Sequence, residues 1–173
     1  MLMVPAVVAL REGRHKALAE RIAYANQVLS EHAPKGQFAT LCAVGWEAGK
    51  PTLHVINAGH PPPFVIRKDG RVSAVETPCQ SAVGVFPDAE FTAHSLLLHS
   101  GDKVLLLSDG ITEARDPAGL IYESQMQKDL EALAKRYREP NRLIRELSGS
   151  AKRFCGRRGI EDDRTLLILS LPG

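Results

Sequence analysis

Two stretches of this sequence join acidic residues to apolar runs in a way that suits metal chemistry. The first is Leu105-Leu106-Leu107-Ser108-Asp109-Gly110-Ile111-Thr112-Glu113. A carboxylate directly after an apolar strand and directly before a glycine is held at a sheet end, and Gly110 allows the backbone to turn sharply there. Such a carboxylate suits Mg2+ or Mn2+, hard cations that take oxygen ligands and keep several waters. The plain alternative is an Asp-Gly turn without chemistry. The second stretch is Glu161-Asp162-Asp163-Arg164-Thr165, three successive acids ahead of the apolar run 166–169. Clustered carboxylates repel one another unless solvent, arginine or a metal neutralises them. The alternative is a solvated acidic loop balanced by Arg157, Arg158 and Arg164. If the two apolar strands are neighbours, Asp109 and Asp162 can share one ion.

A third stretch is Asn57-Ala58-Gly59-His60-Pro61-Pro62-Pro63. His60 is a candidate general acid near neutral pH, or else a residue that locks its loop by hydrogen bonding to backbone carbonyls. With no second catalytic partner in the sequence, the structural role is favoured. Thr40, Ser81, His94 and His99 read as local bonding, turn or packing residues, and Arg153, Arg157 and Arg158 as a solvated helix end. P-loop, GxGxxG and GxSxG motifs are absent.

Apolar residues at three- to four-residue spacing over 4–29 predict an amphipathic helix, ended by Pro34-Lys35-Gly36. Residues 38–46 and 52–57 form an expected hairpin, with Leu53, Val55 and Asn57 on one face. Residues 64–67 and 71–75 form a second around Lys68-Asp69-Gly70. Strands are expected over 90–98, after the Ser100-Gly101-Asp102 turn over 103–108 as a buried central strand, and over 165–171. Residues 126–137 and 140–154 have helical spacing and read as an antiparallel pair. The order of helix, strands, helices and strand predicts an α+β fold, with antiparallel sheets carrying helices on their faces.

The chain has 173 residues, 44% hydrophobic and 24% charged, which suits one globular domain over 1–173. A net charge of +2 and 5% aromatics argue against nucleic acid as a partner. Cys42, Cys79 and Cys155 are odd in number and lack CxxC spacing, so neither a disulfide framework nor a zinc site is expected. Buried thiols in a reducing cytoplasm are the simpler reading. The apolar run 1–10 is too short to span a bilayer and has no basic residue before it, so no membrane partner is expected.

Six motifs occur in order: Phe38-Ala39-Thr40, Asn57-Ala58-Gly59-His60-Pro61-Pro62, Ser81-Ala82-Val83-Gly84, Ser100-Gly101-Asp102, Ser108-Asp109-Gly110-Ile111-Thr112-Glu113 and Asp162-Asp163-Arg164-Thr165. Together they resemble the SpoIIE/RsbU branch of the metal-dependent PPM (type 2C) serine/threonine phosphatases, over about 17–171. The resemblance implies an antiparallel β-sandwich flanked by helices, an α/β/β/α arrangement. It implies two Mn2+ or Mg2+ ions that activate water to attack phosphoserine or phosphothreonine. Asp109 and Asp162 would be metal ligands, Asp163 an outer neighbour of the ions, and Gly110, His60 and Glu113 supporting signature residues. The implied partner is a phosphorylated anti-sigma factor antagonist. Two further acidic motifs of the family, Gly-Gly-Asp and Asp-Val-Ser-Gly-His-Gly, do not occur here, and no aspartate precedes Asp69. On the resemblance the chain is expected to begin inside the first helix, with an incomplete metal site. A strand edge left open would favour pairing with a second copy. The competing expectation is a phosphatase-like module that binds a protein without turnover.

Overall fold

The structure is a computed structural model that describes residues 17–34, 36–46, 49–158 and 162–171. In chain order its elements are α1 (Leu18–His32), β1 (Leu41–Trp46), β2 (Thr52–Ala58), β3 (Phe64–Ile66), β4 (Val72–Ala74), β5 (His94–Leu97), β6 (Lys103–Leu107), α2 (Asp109–Thr112), α3 (Glu123–Arg136), α4 (Pro140–Cys155) and β7 (Leu166–Ser170). Every strand pairing is antiparallel. They form two compact units, Met1–His60 with Glu76–Leu97, and Pro61–Val75 with Leu98–Gly173.

In the first unit the sheet order is β1-β2-β5. The β1–β2 hairpin runs from Trp46 opposite Leu53 to Leu41 opposite Ala58. The expected alternation along β2 holds only at its start. From Val55 to Ala58 every residue is buried, because both faces of the strand are covered there. Helix α1 supplies Ile22 and Leu29 to a core with Ile56, Ala58, Val83 and Phe91. Asn26 sits in the buried face of α1 and is fully used. Its Nδ2 donates to the carbonyls of Phe86 and Pro87, both at 2.9 Å, and its Oδ1 accepts from Gly84 N–H at 2.8 Å. A buried amide is tolerated only when so satisfied, and here it fixes the loop over 84–87. The strand expected over 90–98 shrinks to His94–Leu97. Phe91 is buried in the core instead of joining the ladder. The part of the predicted helix before Ala17 and the apolar run 1–10 lie outside the described residues.

The second unit is a four-stranded sheet in the order β4-β3-β6-β7. Its central β6 is the apolar run expected of a buried strand, with Val104, Leu105 and Leu107 all buried. Helix α3 buries Met126, Leu130 and Ala134, and α4 buries Leu143, Leu147, Ala151 and Cys155. Both sets recur every four residues, the stripe by which a helix covers a sheet. They join Phe64, Ile66, Leu105, Leu107, Ile111 and Tyr122 in one core. Helix α3 begins three residues before the expected Met126, because Glu123, Ser124 and Gln125 are exposed and carry no apolar signal. Helix α4 starts with Pro140 in its first turn, and the Glu139 carboxylate accepts from Asn141 N–H at 2.9 Å and Arg142 N–H at 2.6 Å. That satisfies two of the donors every helix start leaves unpaired.

Asp102, expected only as a turn residue, is 2% exposed and holds the β6 entry. It accepts from the Arg67 guanidinium at 2.8 Å and from the N–H groups of Lys68 and His99 at 3.0 Å each. Burial pushes its carboxyl up, but these donors outweigh burial and hold it below the ordinary value.

Candidate functional site

The site grows from the pairing of β6 with β7. Leu107 lies opposite Leu166, so the chain leaves β6 and enters β7 at the same end of the sheet. Ser108 extends the ladder by one step beyond the strands. Its N–H donates to Thr165 O at 3.0 Å. Its Oγ accepts from Thr165 N–H at 2.9 Å and donates to Asp163 O at 3.2 Å. One hydroxyl thus joins the segment carrying Asp109 to the segment carrying Asp162 and Asp163. Because Ser108 Oγ reaches across, it does not cap the short helix α2 that follows.

Gly110 is needed for a different reason from the expected sharp turn. It is helical, in α2, and its φ is not positive. A Cβ built on it would lie 2.2 Å from Asp163 O and 3.0 Å from the Asp163 carbonyl carbon. The glycine is there because the Asp162-Asp163 backbone passes against it, a close approach that no side chain permits.

Asp109, Asp162 and Asp163 are all exposed. Asp109 Oδ1 accepts from Gly110 N–H at 2.9 Å, and Asp162 Oδ1 accepts from Asp163 N–H at 2.8 Å. Each carboxylate is therefore steered by its neighbour's backbone. Asp163 contributes its carbonyl to the contact with Gly110 and Ser108. Glu113 is exposed at the end of α2, and its N–H bonds Asp109 O at 2.7 Å. Beside the acids lies an open cleft of about 420 Å3 lined by Ile144, Ser148, Asp162, Asp163, Arg164 and Leu166. Glu161 lies outside the described residues.

His60 belongs to the first unit. Its Nδ1 lies 3.2 Å from Thr40 Oγ1, and its loop is locked by Asn57. Asn57 Nδ2 donates to His60 O at 2.8 Å and Asn57 Oδ1 accepts from His60 N–H at 2.9 Å. The locking role expected of the His60 ring is thus performed by the Asn57 amide, bonding His60 through its backbone. The roles of Asn57 and Ser108 are not readable from the motifs in the sequence. The signal available was a short polar residue at a strand end next to a glycine-containing turn, the position where side chains bond local backbone.

The family model described as Stage II sporulation protein E (SpoIIE) matches residues 1–172. This chain belongs to the SpoIIE family. It is 33% identical to Protein IcfG of Synechocystis sp. over 90 residues, covering 52% of this chain and 14% of that protein. It is 27% identical to the Phosphoserine phosphatase RsbU of Bacillus subtilis over 107 residues, covering 61% of this chain and 32% of RsbU. Among solved structures, the RsbU and RsbW domains of Rv1364c from Mycobacterium tuberculosis match with a TM-score of 0.84 at 22% identity, covering 99% of this chain and 47% of that one. The PP2C phosphatase domain of SpoIIE from Bacillus subtilis, with a fragment of its regulatory domain, matches with a TM-score of 0.80 at 20% identity, covering 96% and 48%. The chain therefore spans less than half the length of each of these proteins. Its mixture of helices and antiparallel sheets is the PPM phosphatase fold, as the resemblance implied.

The SpoIIE-family chain presents donors suited in kind to Mn2+ or Mg2+, namely exposed carboxylates on backbone held by strand pairing. They are few in number. Among the described residues no three or more His, Cys, Asp and Glu side chains are grouped to hold a metal ion. Asp109 and Asp162, as exposed carboxylates, are donors of the kind such ions take. Among the described residues no helix is long and apolar enough to cross a membrane.

Proposed function

We propose that this chain forms part of a metal-dependent serine/threonine phosphatase centre, with Asp109 and Asp162 holding Mn2+ or Mg2+. The observation that carries this reading is the joining of the two acidic segments by Ser108 Oγ and by the contact of Gly110 with the Asp163 carbonyl. Bound divalent ions supply a water of lowered pKa and neutralise phosphoryl oxygens. The chain's own residues fix where that happens. Ser108 sets the separation of the two segments, Asp163 lends its backbone to that contact, and Arg164 and Ser148 line the cleft beside the acids. A guanidinium and a hydroxyl there suit a phosphoryl group entering next to the carboxylates. Glu113 and His60 keep supporting roles, Glu113 through its backbone bond to Asp109 and His60 through its loop. The substrate is phosphoserine or phosphothreonine on a regulatory protein of the anti-sigma factor antagonist type, acted on in the cytoplasm. Support comes from the family and from the relative named a phosphoserine phosphatase.

A second reading, a phosphatase-like module that binds protein without turnover, is favoured by the small donor set among the described residues. The test is hydrolysis of p-nitrophenyl phosphate with and without millimolar Mn2+, alongside Mn2+ binding by calorimetry. Asp109→Asn is expected to abolish both turnover and Mn2+ affinity, while His94→Ala leaves both unchanged. Equal loss in the two variants overturns the site assignment. Mn2+ binding without turnover supports the second reading.

A further inference from the structure

The second unit carries a dense group of cations at the end of β6 opposite to Asp109. Three segments meet there: the β3–β4 turn, the turn before β6, and the α3–α4 junction. The turn at Gly70 lies against α3 so closely that a Cβ on it would fall 3.1 Å from Lys135 Cα, and its φ is +92°. The Lys68 side chain covers Gly101, and the Arg138 guanidinium donates to Lys68 O. Tyr137 is flanked by the guanidinium carbons of Arg142 at 4.4 Å and Arg136 at 5.2 Å from its ring centroid.

The acids on these segments are already engaged. Asp69 pairs with Arg71 at 2.7 Å, Asp102 holds Arg67, and Glu139 caps α4. Among the described residues Lys68, Lys135, Arg136, Arg138 and Arg142 form no ion pair with a carboxylate, and all are exposed. Lys103 is pushed below its ordinary pKa by burial and then by Arg138, with Asp102 opposing. Helix polarity accounts for Lys135 and Arg136, which sit in the last turn of α3. It does not account for Arg142, which sits in the first turn of α4, where the helix field disfavours a cation.

We infer that this surface binds an acidic polypeptide segment, with Lys68, Lys135, Arg136, Arg138 and Arg142 as its anchors. Arginine forks on a fixed backbone match carboxylates in pairs. Single-stranded nucleic acid is disfavoured because the aromatic ring on these segments, Tyr137, already has two guanidiniums against it. A lipid surface is disfavoured because the exposed large apolar side chains of this unit, Leu120, Ile121 and Leu167, lie on other segments.

The test is fluorescence anisotropy of a labelled oligoglutamate peptide titrated with the chain at low salt. Lys135→Gln/Arg142→Gln is expected to weaken binding about tenfold. Lys128→Gln/Lys152→Gln, exposed cations on the same two helices, is expected to leave it unchanged. If circular dichroism shows that the first pair perturbs folding, Lys68→Gln takes its place and is expected to weaken binding, and unchanged binding in that variant overturns the inference. The inference is overturned if the wild type does not bind, or if both pairs weaken binding equally. It is also overturned if a DNA oligonucleotide or phosphatidylserine vesicles bind more tightly than the peptide.

Discussion

At the scale of single residues, Gly110 and Asp102 show two ways in which one position governs its surroundings. Gly110→Ala would place a Cβ 2.2 Å from the Asp163 oxygen, so the two acidic segments must separate. The expected cost is about 1–3 kcal/mol, read as a lower denaturation midpoint together with weaker Mn2+ binding. Asp102 acts through charge. Its folded carboxyl titrates below the ordinary 3.8, so its stabilisation is complete above that value and is lost as pH falls from there through the depressed pKa. Asp102→Asn is expected to cost on the order of 2 kcal/mol at neutral pH. The variant should also lose this part of the acid dependence, which urea melts below and above pH 4 would reveal. The segments carrying Asp109 and Asp162 stood out in the sequence as candidates because each lies beside an apolar strand. Asp102 did not, because its donors come from residues about thirty-five positions earlier and three positions earlier in the chain. The reason for Gly110 was equally hidden, since the backbone it touches lies more than fifty residues away.

At the scale of elements, α4 depends on a cap supplied by a longer acid than is usual. Glu139→Ala removes the acceptor for two N–H groups at the helix start and is expected to cost about 1 kcal/mol in thermal or urea unfolding. The strands and helices that declared themselves in sequence were those with a clean period or an apolar run: β6, α3, α4 and both hairpins. Where tertiary contacts decided, the pattern misled. Residues 90–93 look like strand, yet Phe91 packs in the core of the first unit. The Asp109–Thr112 turn of helix was not expected, since Asp, Gly and Thr are poor helix formers. It forms where Ser108 is already fixed by Thr165, one residue before β7, so the direction of the chain is set before the helix begins.

At the scale of the whole molecule, neither unit is a continuous length of chain. The sheet of the second unit needs β3 and β4 from 61–75 as well as everything after residue 97. A fragment of residues 98–173 would lose Phe64, Ile66 and Val72 from its core and leave one side of β6 without a ladder partner. It is expected to show no cooperative thermal transition by circular dichroism, in contrast to the full chain. The tie between β6 and β7 has a further consequence for how such a chain can vary. The segments carrying Asp109 and Asp162 are joined by strand register and one serine hydroxyl, and the two long helices between them are an excursion that leaves and returns at the same end of the sheet. Closing a longer excursion costs little in entropy. An insertion at the link between α3 and α4 would therefore disturb the cations and the Glu139 cap there while leaving the joining of the two acidic segments intact.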